Sequence, residues 1–177
     1  MSRKTVFPNI DGSISVGGKT ALSSVSLIRP NDTTAYDAKD AIANSAAGAA
    51  VLLFVNVAIK NGGSGYITKV RLFTSQSTNV AIYRLQLYTS TPTSINDNAP
   101  FTLLIANQAK RVGFIDAGPA NTEGTGSDSA NAMNADVRMP FVCAAADTKL
   151  YGILETLTAF TPAALQTFFI ELTVEQN

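Results

Sequence analysis

Thr167-Phe168-Phe169-Ile170-Glu171-Leu172-Thr173-Val174-Glu175 decides the fold. Phe168, Ile170, Leu172 and Val174 fall on one side of an extended chain. Thr167, Glu171, Thr173 and Glu175 fall on the other. A period of two is what a half-buried antiparallel strand requires. The spacing predicts a core strand whose Glu171 faces solvent.

The same period recurs outward along the chain. Tyr83, Leu85 and Leu87 oppose Arg84 and Gln86, and Val137, Met139, Phe141 and Cys143 oppose Asp136 and Arg138. Tyr66, Val70 and Leu72 read as one face, with Lys69 and Arg71 on the other. Further strands are expected at 24–29, 51–59, 110–116 and 149–157. About eight strands separated by Gly, Pro, Asn and Ser turns predict an all-β, single-domain antiparallel sandwich, jelly-roll-like in its winding. Asn61-Gly62-Gly63 reads as a hairpin turn between the strands at 51–59 and 65–74. Helix is confined to a turn or two within Ala99–Gln108. The Gly/Ser/Asn-rich stretch Asn121–Asn134 reads as a long exposed loop. No internal repeat is present.

Residues 1–22 lack a sustained period and contain Pro8, Gly12, Gly17 and Gly18. They read as an extended N-terminal arm, leaving 23–177 as the sandwich. The arm nevertheless carries Val6, Phe7, Ile10, Ile14 and Val16, more apolar side chains than a solvated tail needs. Arg3, Lys4, Val6, Phe7, Ile10 and Ile14 are therefore expected to contact a partner.

Composition narrows the chemistry. The chain has 177 residues, enough for one sizeable core. Only 15% of residues are charged, and the net charge is zero. A nucleic-acid partner needs a basic field to neutralise phosphates, so none is expected. No histidine is present, which removes imidazole bases, Ser-His-Asp triads and imidazole metal ligands. The one cysteine, Cys143, rules out an intrachain disulfide and falls on an apolar face, as a buried thiol would. Pro8, Asn9, Asp11 and Gly12 interrupt any secretory core, so no signal is read there. Ala41–Ile59 is the longest apolar stretch, but Asn44, Ser45 and Asn56 and its β-branched centre favour a buried strand over a membrane helix.

The remaining motifs have ordinary explanations. Ser13–Thr20 imitates a phosphate-binding loop, but Ser13 stands where glycine is needed and a strand follows in place of a helix. Gly62-Gly63-Ser64-Gly65 has no histidine to activate its serine. Asp32, Asp37 and Asp40 with Asn31 and Asn44 form one oxygen-rich set, and Glu123, Asp128 and Asn131 another. Neither has calcium-loop spacing, so no metal site is assigned. Glu155 and Glu171 are carboxylates on strands that could face one another, as a glycosidase requires. Thirteen acids make that pairing arbitrary, and no catalytic residue or cofactor is assigned. Tyr66, Phe73, Tyr88, Tyr151 and Phe169 fall on or near the strand faces opposite the main apolar rows and suggest a subunit contact before a second core or a ligand platform.

Arg29-Pro30-Asn31-Asp32-Thr33-Thr34-Ala35-Tyr36 reads physically as a strand end and an Asx-turn. This block resembles one that recurs in a group of tailed-bacteriophage virion proteins. Tyr83-Arg84-Leu85-Gln86-Leu87-Tyr88, Ser90-Thr91-Pro92 and Asp97-Asn98-Ala99-Pro100-Phe101 extend the resemblance, which runs from about residue 24 to the C-terminus. The resemblance implies a component of a phage particle, made in the host cytoplasm and located in the virion. Small size, the lack of catalytic chemistry and the arm narrow the expectation. It becomes a non-enzymatic capsid decoration or cement subunit whose partners are the major capsid protein and copies of itself, as a trimer. A tail or baseplate module binding host glycans is the alternative. No membrane partner is expected.

Overall fold

β10 (Thr167–Gln176) sits between β1 (Lys19–Ile28) and β4 (Ser64–Thr74), and its alternation is realised as read. Phe168, Ile170, Leu172 and Val174 are all fully buried, while Glu171 turns outward beside Arg71. The computed structural model describes residues 18–78, 81–122, 124 and 131–177. Its other elements are β2 (Ala41–Ile42), β3 (Leu52–Phe54), β5 (Tyr83–Tyr88), α1 (Ile105–Gln108), β6 (Arg111–Ala117), β7 (Asn121–Thr122), β8 (Asn131–Val142) and β9 (Leu150–Thr156).

The strands form two sheets, one in the order β1-β10-β4-β8-β7 and the other β2-β9-β5-β6, with β3 also on β9. Every pairing is antiparallel. β2 and β3 occupy successive stretches of one margin of β9, so they act as a single interrupted strand. The pairing is then nested: β1 with β10, β2/β3 with β9, β4 with β8, and β5 with β6. A long hairpin rolled up so that successive pairs alternate between two sheets is a jelly roll. The inner faces meet in one core, with Ile67, Val70 and Leu72 of β4 facing Leu85, Leu87, Leu150 and Leu154.

A smaller core lies on the outside of the second sheet. Ala41, Tyr88 and Ile153 are buried there, with Val51, Ile95, Phe101, Leu103 and Tyr151 packed on them. The long β5–β6 connection supplies much of this cover. α1 is a single turn within it, shorter than the stretch Ala99–Gln108 allowed. Among the described residues no helix is long and apolar enough to cross a membrane.

Several expectations are corrected. Asn61-Gly62-Gly63 is a tight turn, with the Gly63 N–H donating to Lys60 O, but it makes no hairpin: β3 and β4 lie in different sheets. The strand expected at 51–59 is cut short because Asn56 adopts a left-handed backbone, which asparagine tolerates better than β-branched residues do. The Gly62 N–H donates to Asp147 O, so the turn carries the chain across the sandwich. Tyr66 faces outward, opposite to its expected side. Against β10, where Thr173 and Val174 pair with Lys69 and Ile67, Thr68 is one extra residue in β4 and reverses the parity before it. β8 starts at Asn131, inside the stretch read as an exposed loop, and Asn121–Thr122 is paired with it as β7. β1 starts at Lys19, so the sandwich claims the last four residues assigned to the arm. The arm's expected contacts, Arg3, Lys4, Val6, Phe7, Ile10 and Ile14, lie outside the described residues.

Candidate functional site

The Arg29–Tyr36 block is more than a turn. Arg29 directly follows β1, and its N–H donates to Gln166 O at 3.0 Å, continuing the ladder toward β10. Pro30 then ends the strand, and the Asp32 carboxylate accepts from the Thr34 N–H at 3.0 Å, forming the expected Asx-turn. That hydrogen bond comes first among the effects that hold the Asp32 carboxyl below the usual carboxylate range. Tyr36 pairs through its backbone with Phe160 and stacks its ring on the Phe160 ring at 4.9 Å.

These turns carry the Arg29 side chain into the protein, where it is 1% exposed. Its Nη2 donates to Asp97 Oδ2 at 2.9 Å and reaches Asp32 Oδ1 at 3.4 Å. Its Nη1 lies 3.4 Å from both Asp32 O and Ala163 O. Its Nε donates to the Tyr36 hydroxyl, which donates in turn to Asp97 Oδ1. The guanidinium also lies over the Tyr36 ring, 4.6 Å from its centroid. Asp97 Oδ1 further accepts from the Ala43 N–H at 2.8 Å. Burial, then the bond to Asp97, pushes the Tyr36 phenol far above the usual tyrosine range.

A buried guanidinium is tolerated only when its donors are met and its charge is paired. Here the partners come from the 30–36 turn, the β5–β6 connection, the segment after β2 and the loop before β10. The cluster is a lock between four segments that meet at one place. Arg29, Tyr36 and Asp97 are turned inward, and only the Asp32 carboxylate reaches the surface.

A second polar cluster lies on the outer face of the β9-β5-β6 sheet. Arg84 holds Asp116 with two bonds, at 2.6 and 2.9 Å, and stacks over the Phe114 ring at 4.0 Å. Arg111 donates twice to Gln86 Oε1, and Gln86 Nε2 donates to Glu155 Oε1 at 3.0 Å. Glu155 is 3% exposed. Burial pushes its carboxyl above the usual range, against the opposing pull of Gln86 and Arg84. The folded chain therefore holds the Glu155 proton more tightly than the unfolded chain does. That contribution to stability is full below the ordinary carboxylate range and is lost as pH rises from there through the raised value of the folded chain. In Glu155→Gln, unfolding free energy should fall less than in the parent as pH is raised from mildly acidic to neutral, as denaturant titrations at each pH would measure.

The remaining candidate residues are dispersed. Glu155 is on the outer face of one sheet and Glu171 on the outer face of the other, so they share no cleft. Glu171 pairs with Arg71 at 3.1 Å. Asp40 Oδ2 accepts from the Asp37 N–H, and Asn44 Oδ1 from the Ala50 N–H, so both serve turns. Among the described residues no three acids or thiols gather as a metal site would require. Glu123 and Asp128 lie outside the described residues, as do Ser13–Gly17 of the phosphate-loop imitation. Lys19 and Thr20 of that imitation open a strand. Cys143 is buried, and burial pushes its thiol up to about 11. Of the five aromatics, Tyr88 belongs to the smaller core and Tyr151 packs against it. Phe73 and Phe169 form a pair on the outer face of the first sheet, with centroids 6.1 Å apart, and Arg71 lies over Phe73. Tyr66 lies on that face too, under Arg138.

No protein-family model and no curated relative matches the chain. Among solved structures it is similar to the K3 cleaved adhesin domain of Lys-gingipain from Porphyromonas gingivalis W83. Identity is 14% over 96% of this chain and 82% of that one, at a TM-score of 0.33. It is also similar to a chain of Desmodium yellow mottle tymovirus, with 7% identity over 99% of this chain and 94% of that one, at a TM-score of 0.32. The jelly roll is established here by strand order and not by these likenesses.

Proposed function

We propose that the chain is a non-enzymatic structural protein of a tailed-bacteriophage particle, bound to the outside of the head as a decoration or cement subunit. One observation carries this reading. The two sequence blocks that resemble phage virion proteins are far apart in the chain, yet Arg29 and Tyr36 of the first meet Asp97 of the second in one buried lock. The resemblance thus rests on residues that define the fold, not on turn residues any surface might carry. Tyr83–Tyr88, also within the resemblance, is a central strand of the second sheet.

A rigid jelly roll with its loops tied at one end suits a passive role. Copies bound across neighbouring capsid subunits stabilise the assembled shell by mass action, because they bind the shell and not its dissociated parts. The major capsid protein is the proposed partner, and Arg3, Lys4, Val6, Phe7, Ile10 and Ile14 of the arm are its proposed contacts. Quantitative mass spectrometry of purified particles tests the reading. Copies in the hundreds per particle are expected. A handful of copies would place the chain on the tail, and its absence from particles would overturn the proposal.

A further inference from the structure

Among the described residues β1 is the margin of its sheet and pairs with β10 on one side only. Soluble proteins blunt such margins with charge, proline or bulges. The opposite margin follows that rule: β7 covers only Asn131 and Ala132 of β8, and beyond them β8 turns Asp136, Arg138 and Pro140 outward. β1 does not. From Thr20 to Ile28 it has no charge, proline or glycine, and its outward Leu22 and Ile28 are 64% and 54% exposed. Beneath it a groove of about 360 Å³ opens between Val25, Leu27 and Ile28 and the segment Ala50–Leu52.

The direction of the free backbone groups follows from one bond. The Arg29 N–H donates to Gln166 O, and the register places these residues opposite one another, next to the pair Ile28 and Thr167. Backbone direction alternates along an antiparallel ladder. Val25 and Leu27 therefore commit their N–H and C=O groups to β10. Those of Leu22, Ser24, Ser26 and Ile28 point to the open margin.

We propose that this margin pairs, antiparallel, with the same margin of a second copy about a two-fold axis at Val25. Residues paired across such an axis must share a face, so the axis must pass through a residue position. At Val25 it opposes Leu22 to Ile28 of the second copy and Ser24 to its Ser26. Exposed apolar side chains then cover one another twice, and small hydroxyls meet between them. An axis at Ser24 would set Leu22 against Ser26, and one at Ser26 would set it against Pro30, which has no N–H. The Val25 register engages all four outward residues of each copy in about eight backbone hydrogen bonds. An isologous contact closes at two copies, so it takes the place of the trimer expected from the sequence. The pairing does not depend on the particle reading and can fail separately from it.

Sedimentation of the full chain across micromolar concentrations tests the pairing. A concentration-dependent dimer is expected. Ser26→Pro should give a monomer with an unchanged melting temperature, because the lost N–H faces the margin and the ladder to β10 remains. Leu22→Lys should weaken the dimer about tenfold. Adding Ile28→Glu in the same chain should restore it, since the introduced ammonium would then meet the introduced carboxylate only across the dyad; within one chain the two positions are about 20 Å apart. A wild-type monomer throughout, a trimer, a dimer indifferent to Ser26→Pro, or a double variant no tighter than Leu22→Lys would each overturn the pairing.

Discussion

Asp97→Ala should cost about 3–5 kcal/mol of unfolding free energy, the usual result of removing one partner from a buried ion pair. For a chain of this size that lowers the melting temperature by roughly 10 °C. The loss follows from what remains. Arg29, fully buried, would be left with only the half-exposed Asp32 carboxylate, at 3.4 Å, and the Ala43 N–H and the Tyr36 hydroxyl would each lose an acceptor. Tyr36→Phe removes the bridging hydroxyl but leaves the ion pair at 2.9 Å and the ring on Phe160. It should cost less, about 1–3 kcal/mol. Replacing both charges, as Arg29→Met with Asp97→Leu, should cost less than Asp97→Ala alone, because no unpaired charge is left behind. Calorimetry of the four proteins checks the order. If Asp97→Ala melted with the parent, Arg29 would not depend on Asp97 for its burial.

Phe168→Ala should be comparably damaging, at about 3–5 kcal/mol. Phe168 is fully buried on an inner strand of its sheet and meets the Tyr83 ring edge-on, with centroids 5.4 Å apart. Tyr83 also meets Phe160, which stacks on Tyr36 of the lock. The cavity left by Phe168 would therefore loosen the aromatic row that backs the lock. Ile170→Ala, one step along the same face, should cost about 2–5 kcal/mol. Denaturant midpoints measure both. Near-parental values would mean that the inner face of β10 does not hold the two sheets together.

Much of this architecture is legible because period two survives wherever a strand is regular. β10, β5 and the later part of β8 show the faces their residues assign. The misreadings have local causes. Thr68 inserts one residue into β4 relative to β10, and nothing in the side-chain pattern marks where parity reverses, so the pattern alone turns Tyr66 inward. Asn56 breaks an apolar run by its backbone conformation, which composition does not reveal. Tyr88 lies on an outward face but is buried, because the β5–β6 connection folds over it, and cover by a distant loop has no period. The lock is the clearest case. Arg29 and Asp97 stand 68 positions apart, and each looks like an ordinary turn residue until the fold joins them. The second polar cluster is half legible: Arg84 and Gln86 read as outward, but their partners Glu155, Arg111 and Asp116 come from neighbouring strands.

The head itself offers the most direct measurement. Purified particles lacking this chain are heated, with and without the added protein, and the temperature of DNA release is followed by the fluorescence of a DNA-binding dye. A decoration subunit should bind the bare heads and raise the release temperature, by an amount that saturates as its sites fill. Release at the same temperature with and without bound protein, or no binding to the heads at all, would contradict the account.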